Sequence, residues 1–217
     1  MQRRCLFAVL VLFLVAPQVA RGVVISEIHY NPPAGDEALE FVEIANDLAT
    51  PEDVSGYSFT NGIDFVIPPG TVLGPYGLLV VAANADLVKA RYGIENVVGD
   101  FTGRLDSGGE RITLSNHAGA VLQDLRFRDR GKWPSGPDGT GHTLSLLSVY
   151  NDSAEPESWG QSLELGGTPG RPNFSSMDPQ FEETVLVDQG AEWRYAKGTV
   201  PFSTPPAAWR EPAFDDS

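Results

Sequence analysis

Between Val23 and Ser148 the chain is a succession of short β-prone runs separated by turn residues, and no helical pattern of about 10–15 residues joins any two of them. Parallel strands need crossover connections of a dozen or more residues, usually helical, so a doubly wound α/β fold is excluded. The runs are VVISEIHY, LEFVEIA, YSFT, IDFVI, LLVVAA, NVVGDF, RITLSN, VLQDLRF and GHTLSLLS. Nine short strands with a turn every 8–14 residues predict an all-β antiparallel sandwich. Asn61-Gly62 lies between two of the runs and predicts a two-residue hairpin turn, because both residues accept positive φ. LLVVAA, apolar throughout, reads as a central strand buried on both faces. One brief helix is expected over ADLVKARY, capped by Asn84 or Asp86 and closed by Gly93. GHTLSLLS reads as the last strand, and the Gly- and Pro-rich stretch after it as loop. No repeat of 20–50 residues is visible, which argues against a solenoid or propeller.

Residues 1–22 read as an address. Arg3 and Arg4 precede a 12-residue apolar run, Cys5 to Ala16, which Pro17 breaks. A spanning helix needs about 20 apolar residues, so the pattern is that of a signal peptide. Ala20 and Gly22 place cleavage after Gly22. The mature chain is then expected to be secreted or held at the cell surface, without membrane insertion. The whole chain has 15 basic and 29 acidic residues. Loss of Arg3, Arg4 and Arg21 leaves 12 against 29, a net charge of −17 over 195 residues. Counterion release at nucleic-acid phosphates requires clustered Lys and Arg, so nucleic acid is not an expected partner. Cys5, the sole cysteine, leaves with the leader. No disulfide, thiolate zinc site or thiol nucleophile remains, and the domain must hold by its core alone.

Taken in order, several segments resemble the lamin tail domain family. They are VVISEIHYNP, LEFVEIAN, the stretch DVSGYSFTNGIDFVIPPGTVLGPYGLLVVA, GERITL, WPSGPDGTGHTLSLL and WGQSLELGGTPGRPN. They cover residues 23–174. The resemblance implies an immunoglobulin-like β-sandwich of the bacterial, secreted branch. In that branch the domain follows a signal peptide and sits among other extracellular domains. It also implies a structural role for Glu43 and Asn46 of the EFVEIAN motif. No heptads precede the domain here, so filament and chromatin roles do not carry over. Residues 175–182 read as a linker. Residues 183–217 resemble the opening of a galactose-binding-like jelly roll and are expected to be an incomplete second β domain or a disordered tail.

Chemistry is sparse. His29, His117 and His142 form no His-x-x-x-His or His-x-His pair, and Gly-x-Ser-x-Gly, P-loop and dinucleotide fingerprints are absent. The expectation is no enzyme, no catalytic residues, no cofactor and no metal centre. Glu27, Glu40 and Glu43 lie on adjacent candidate strands. They can be read as a glycosidase pair, and better as strand carboxylates that face water or accept backbone hydrogen bonds. The candidate ligand-binding residues are Trp133, Asp138, Asp152, Glu155, Glu157 and Trp159. If exposed near each other, the two tryptophans can stack on a sugar or peptide. The acids can supply the hard oxygens that calcium wants. The reading is a non-enzymatic extracellular interaction module of a larger secreted protein, contacting a protein or surface polymer. The alternative is an accessory domain of a secreted hydrolase or spore-coat-kinase-like enzyme whose catalytic part lies beyond residue 217.

Overall fold

The computed structural model describes residues 22–33 and 36–174, within the first of the chain's two units, Met1–Pro179. The leader, the 175–182 linker and the 183–217 segment lie outside the described residues. In chain order the strands are β1 (Val23–His29), β2 (Phe41–Asn46), β3 (Glu52–Asp53), β4 (Ser58–Thr60), β5 (Ile63–Val66), β6 (Val72–Leu73) and β7 (Leu78–Ala82). After helix α1 (Ala85–Tyr92) come β8 (Val97–Gly99), β9 (Thr102–Gly103), β10 (Arg111–Ser115), β11 (Val121–Arg126), β12 (Leu144–Leu146) and β13 (Trp159–Gln161).

These form an immunoglobulin-like sandwich. One sheet has the order β13-β12-β1-β2-β7-β8, and the other β11-β10-β4-β5-β9. A two-stranded β3-β6 pair completes the fold. Pairing is antiparallel except between β7 and β8. Ile28, Val42, Ile44, Leu79, Val81 and Leu144 of the first sheet meet Phe59, Ile63, Ile112, Leu114 and Leu125 of the second. α1 is the one helix expected from the sequence, with the expected ends. Asn84 Oδ1 accepts the Leu87 N–H at 3.0 Å, and Gly93 closes the helix at φ 66°. Asn84→Ala is expected to cost about 1 kcal/mol, as other lost N-caps do. A thermal melt checks it.

Three expectations need correction. The strands number thirteen rather than nine among the described residues. The additions include the two-residue ladders β3, β6 and β9, which are too short to leave a periodic pattern. The last strand is β13, not GHTLSLLS. Trp-Gly-Gln has no β signature, but it pairs Leu146 with Trp159 and Leu144 with Gln161. Asn61 and Gly62 do take positive φ, 62° and 68°, yet the turn is not a two-residue one. The register Ser58↔Val66 and Phe59↔Phe65 leaves Asn61, Gly62 and Ile63 in the connection. Ile63 is fully buried and pairs with Gly103 of β9, which draws it out of a tight hairpin.

Every residue of β1 and β2 is buried, so the first sheet is covered on its outer face as well. α1 covers part of that face. Val88 packs on Phe41, Val80, Ala82 and Val97, with Tyr92 and Ile94 at the margin. The burial of β7 on both faces, expected from its composition, follows from this layer. The chain from Ser162 to Asn173 covers the rest of the face, over polar groups.

Candidate functional site

β1 and β2 place Glu27 directly opposite Glu43. Opposed residues of an antiparallel pair point to the same face, here the face that carries Phe41 and Val80. A bulge at Ser26 shifts the register between Ile25 and Glu27. It sets a hydroxyl beside the two carboxyls. Glu27 is 0% and Glu43 1% exposed.

Neither carboxyl is left without donors. Glu27 Oε1 accepts from the hydroxyls of Thr143 and Ser145 and from the Thr168 N–H at 3.0 Å. Glu43 Oε1 accepts from Ser26 Oγ at 2.8 Å, and Oε2 from the Gly170 N–H at 2.6 Å. The chain from Gly166 to Asn173 therefore runs across the pair with the Thr168 and Gly170 amides turned inward. Asn173 Nδ2 fastens its far end to the Ser26 carbonyl at 2.6 Å, and Thr168 Oγ1 donates to Asn173 Oδ1 at 2.9 Å. Gly167 must be glycine. Its φ is +77°, and a Cβ would overlap Glu27 Oε1 and lie 2.6 Å from Thr143 Cγ2.

Burial pushes the Glu27 carboxyl up to about 7, against the pull of the Thr143, Thr168 and Ser145 donors and of Arg171. Burial first, and then the charge of Glu27, push Glu43 well above the carboxylate range. Two buried carboxyls that face each other across the strand pair do not readily both ionise, so the pair keeps at least one proton near neutral pH. His29, two positions along the same face, stacks edge-on against Phe41 at 5.4 Å. Burial lowers it to about 4, so it is neutral.

The residues singled out in the sequence are arranged differently. Trp133 and Trp159 are close, with ring centroids 6.4 Å apart. They are, however, 9% and 3% exposed and belong to the core. The exposure on which a stacking role depended is missing, and Trp159 spends its indole N–H on the Ser153 carbonyl at 2.8 Å. Glu157 pairs with Lys132 at 2.8 Å, tying the loop before β12 to the loop before β13. Glu155 is exposed. Asp152 Oδ1 accepts the Ala154 N–H at 3.1 Å in a local turn. Asp138 is elsewhere, accepting from Asn31 Nδ2 at 2.7 Å. Among the described residues no three His, Cys, Asp or Glu side chains gather as a metal site. The strand glutamates read as solvated or backbone-bonded do accept backbone hydrogen bonds, but none of the three faces water. Two acids inside otherwise apolar runs were the available signal. Their pairing across 16 residues, and the loop that seals them, had none.

The model of one family, the lamin tail domain, matches residues 16–129, more than half of the chain. The matched stretch holds β1 to β11 with both glutamates. β12, β13 and the sealing loop follow it. A comparison with curated proteins finds no match. The immunoglobulin-like sandwich and the matched stretch agree: this chain belongs to the lamin tail domain family, a family of non-catalytic immunoglobulin-like modules.

Proposed function

We propose that the chain is an exported, non-enzymatic interaction module that contacts an extracellular protein or surface polymer through the loops at one end of its sandwich. The observation that carries this reading is the fate of its acid groups. Glu27 and Glu43, the pair a glycosidase reading would use, are sealed beneath residues 166–173 and saturated with internal donors. The two best-formed cavities among the described residues measure about 20 and 100 Å³. Small-molecule sites run to roughly 300–1,000 Å³. What remains for recognition is surface, in the loops Trp133–Gly141 and Asn151–Trp159, which the Lys132–Glu157 pair joins. The basic and apolar leader supports export. Similarity of residues 183–217 to the start of a galactose-binding-like jelly roll supports a place among other extracellular domains. The acidity argues against nucleic-acid partners.

The full chain, assayed on ester, peptide, phosphodiester and glycosidic substrates, is expected to show no turnover. At physiological ionic strength it is expected not to bind duplex DNA. Turnover abolished by Glu27→Gln or Glu43→Gln, with the melting temperature unchanged, would overturn the reading.

A further inference from the structure

One buried carboxylate is not sealed. Glu40, at the entry to β2, is 2% exposed yet lines the cavity of about 100 Å³. Tyr30 and Leu105 are buried beside it, while Glu37, Arg104 and Ser107 stand exposed at the rim. Glu40 Oε2 accepts the Leu105 N–H at 2.9 Å, and Oε1 accepts nothing among the described residues. The Tyr30 hydroxyl is also buried without a partner. Asn31, on the same wall, is held by Asp138.

The charges select the occupant. Arg104 is already committed to Glu37 at 2.7 Å, so Glu40 is the acid without a counter-ion. Burial raises it to about 7, with Glu37 adding to the rise and Leu105 N–H and Arg104 opposing it. An anion entering would meet two carboxylates. A bare metal ion would want more hard ligands than gather here. At roughly 10–15 Å³ of cavity space per water there is room for several waters, enough for an ammonium head and a slender aliphatic stem. An ammonium brings three donors, and Glu40 Oε1 is an acceptor that no described residue uses.

We infer that this cavity receives a lysine ε-ammonium from a protein partner, seated on Glu40. This rests on the reading of the chain as a binding module, but a titration with a small amine reports on this cavity alone, whereas substrate turnover reports on the module assignment.

The test is NMR titration of the full chain with Nα-acetyl-lysine methylamide, its Nε-acetylated counterpart and glucosamine. The free amine is expected to bind saturably, with affinity on the order of millimolar for so few atoms, and to shift resonances around Glu40 and Leu105. Acetylation is expected to abolish binding, and glucosamine not to compete. Glu40→Gln keeps an oxygen for the Leu105 N–H and so should fold, with binding weakened about tenfold or more by loss of the charge-assisted bond. Equal binding to wild type and Glu40→Gln, equal binding of the acetylated probe, preference for glucosamine, or no binding of the free amine would each overturn the assignment.

Discussion

Gly167→Ala is expected to destabilise the fold by about 4 kcal/mol, a large effect for one added methyl. Three causes act together. An alanine at φ +77° is strained by about 1 kcal/mol. The methyl has nowhere to go, because Glu27 Oε1 and Thr143 Cγ2 occupy the space, and overpacking of this kind costs roughly 1–3 kcal/mol. If the loop moves aside, Glu27 loses the Thr168 N–H at 3.0 Å, and a buried acceptor that loses a partner costs about 1–3 kcal/mol more. Chemical denaturation checks it against a control. Gly70→Ala also sits at positive φ, 82°, but meets nothing within 4 Å. It should therefore show the backbone strain alone. Equal losses in both variants would mean that the seal adds nothing.

The contrast between these two glycines also shows where sequence reading stops. β1, β2, β7 and α1 were legible because each carries a local signal: β-branched runs, an apolar segment too short for a helix, an Asn cap and a closing Gly. The antiparallel sandwich followed from the spacing of such runs, and its immunoglobulin-like class from the family resemblance. β13 was not legible, since Trp159-Gly160-Gln161 becomes a strand only because β12 offers an edge. Ile63 left its hairpin for the same kind of reason, a partner supplied by β9. At the site, Glu27 and Glu43 were visible as acids in apolar company. Local pattern favoured solvent, because it does not register a covering loop 120 or more residues along. Trp133 and Trp159 show the converse. A stacking role required both proximity and exposure; the rings lie 6.4 Å apart, but burial removes the ligand surface.

The raised carboxyls have a consequence for stability with a definite sign. Glu27 and Glu40 rise from 4.5 in the unfolded chain to about 7 in the fold, and Glu43 also rises well above 4.5. The folded state therefore binds more protons than the unfolded one between pH 4.5 and 7. Stability from these groups is fully present below pH 4.5 and is lost as pH rises through the folded values. A single carboxyl shifted this far amounts to roughly 3 kcal/mol. His29, lowered from 6.5 to about 4, acts in the opposite direction, but it is one group against three. The other titratable or charged groups near the pair are Tyr92 from α1 and Arg171 from the sealing loop. Tyr92 stays neutral, pushed up to about 12. Arg171 stays charged and is paired outward with Glu164 at 2.9 Å.

Glu43→Gln separates the pair from everything else, because it removes one of the two coupled acids and leaves Glu40 and His29 in place. The decisive measurement is the melting temperature of wild type and Glu43→Gln from pH 5 to pH 8. Wild type is expected to lose stability across this range. The variant is expected to follow a shallower curve, with its advantage over wild type growing toward pH 8. Parallel curves, or a wild type that gains stability as pH rises, would contradict a sealed carboxyl pair that keeps a proton near neutral pH.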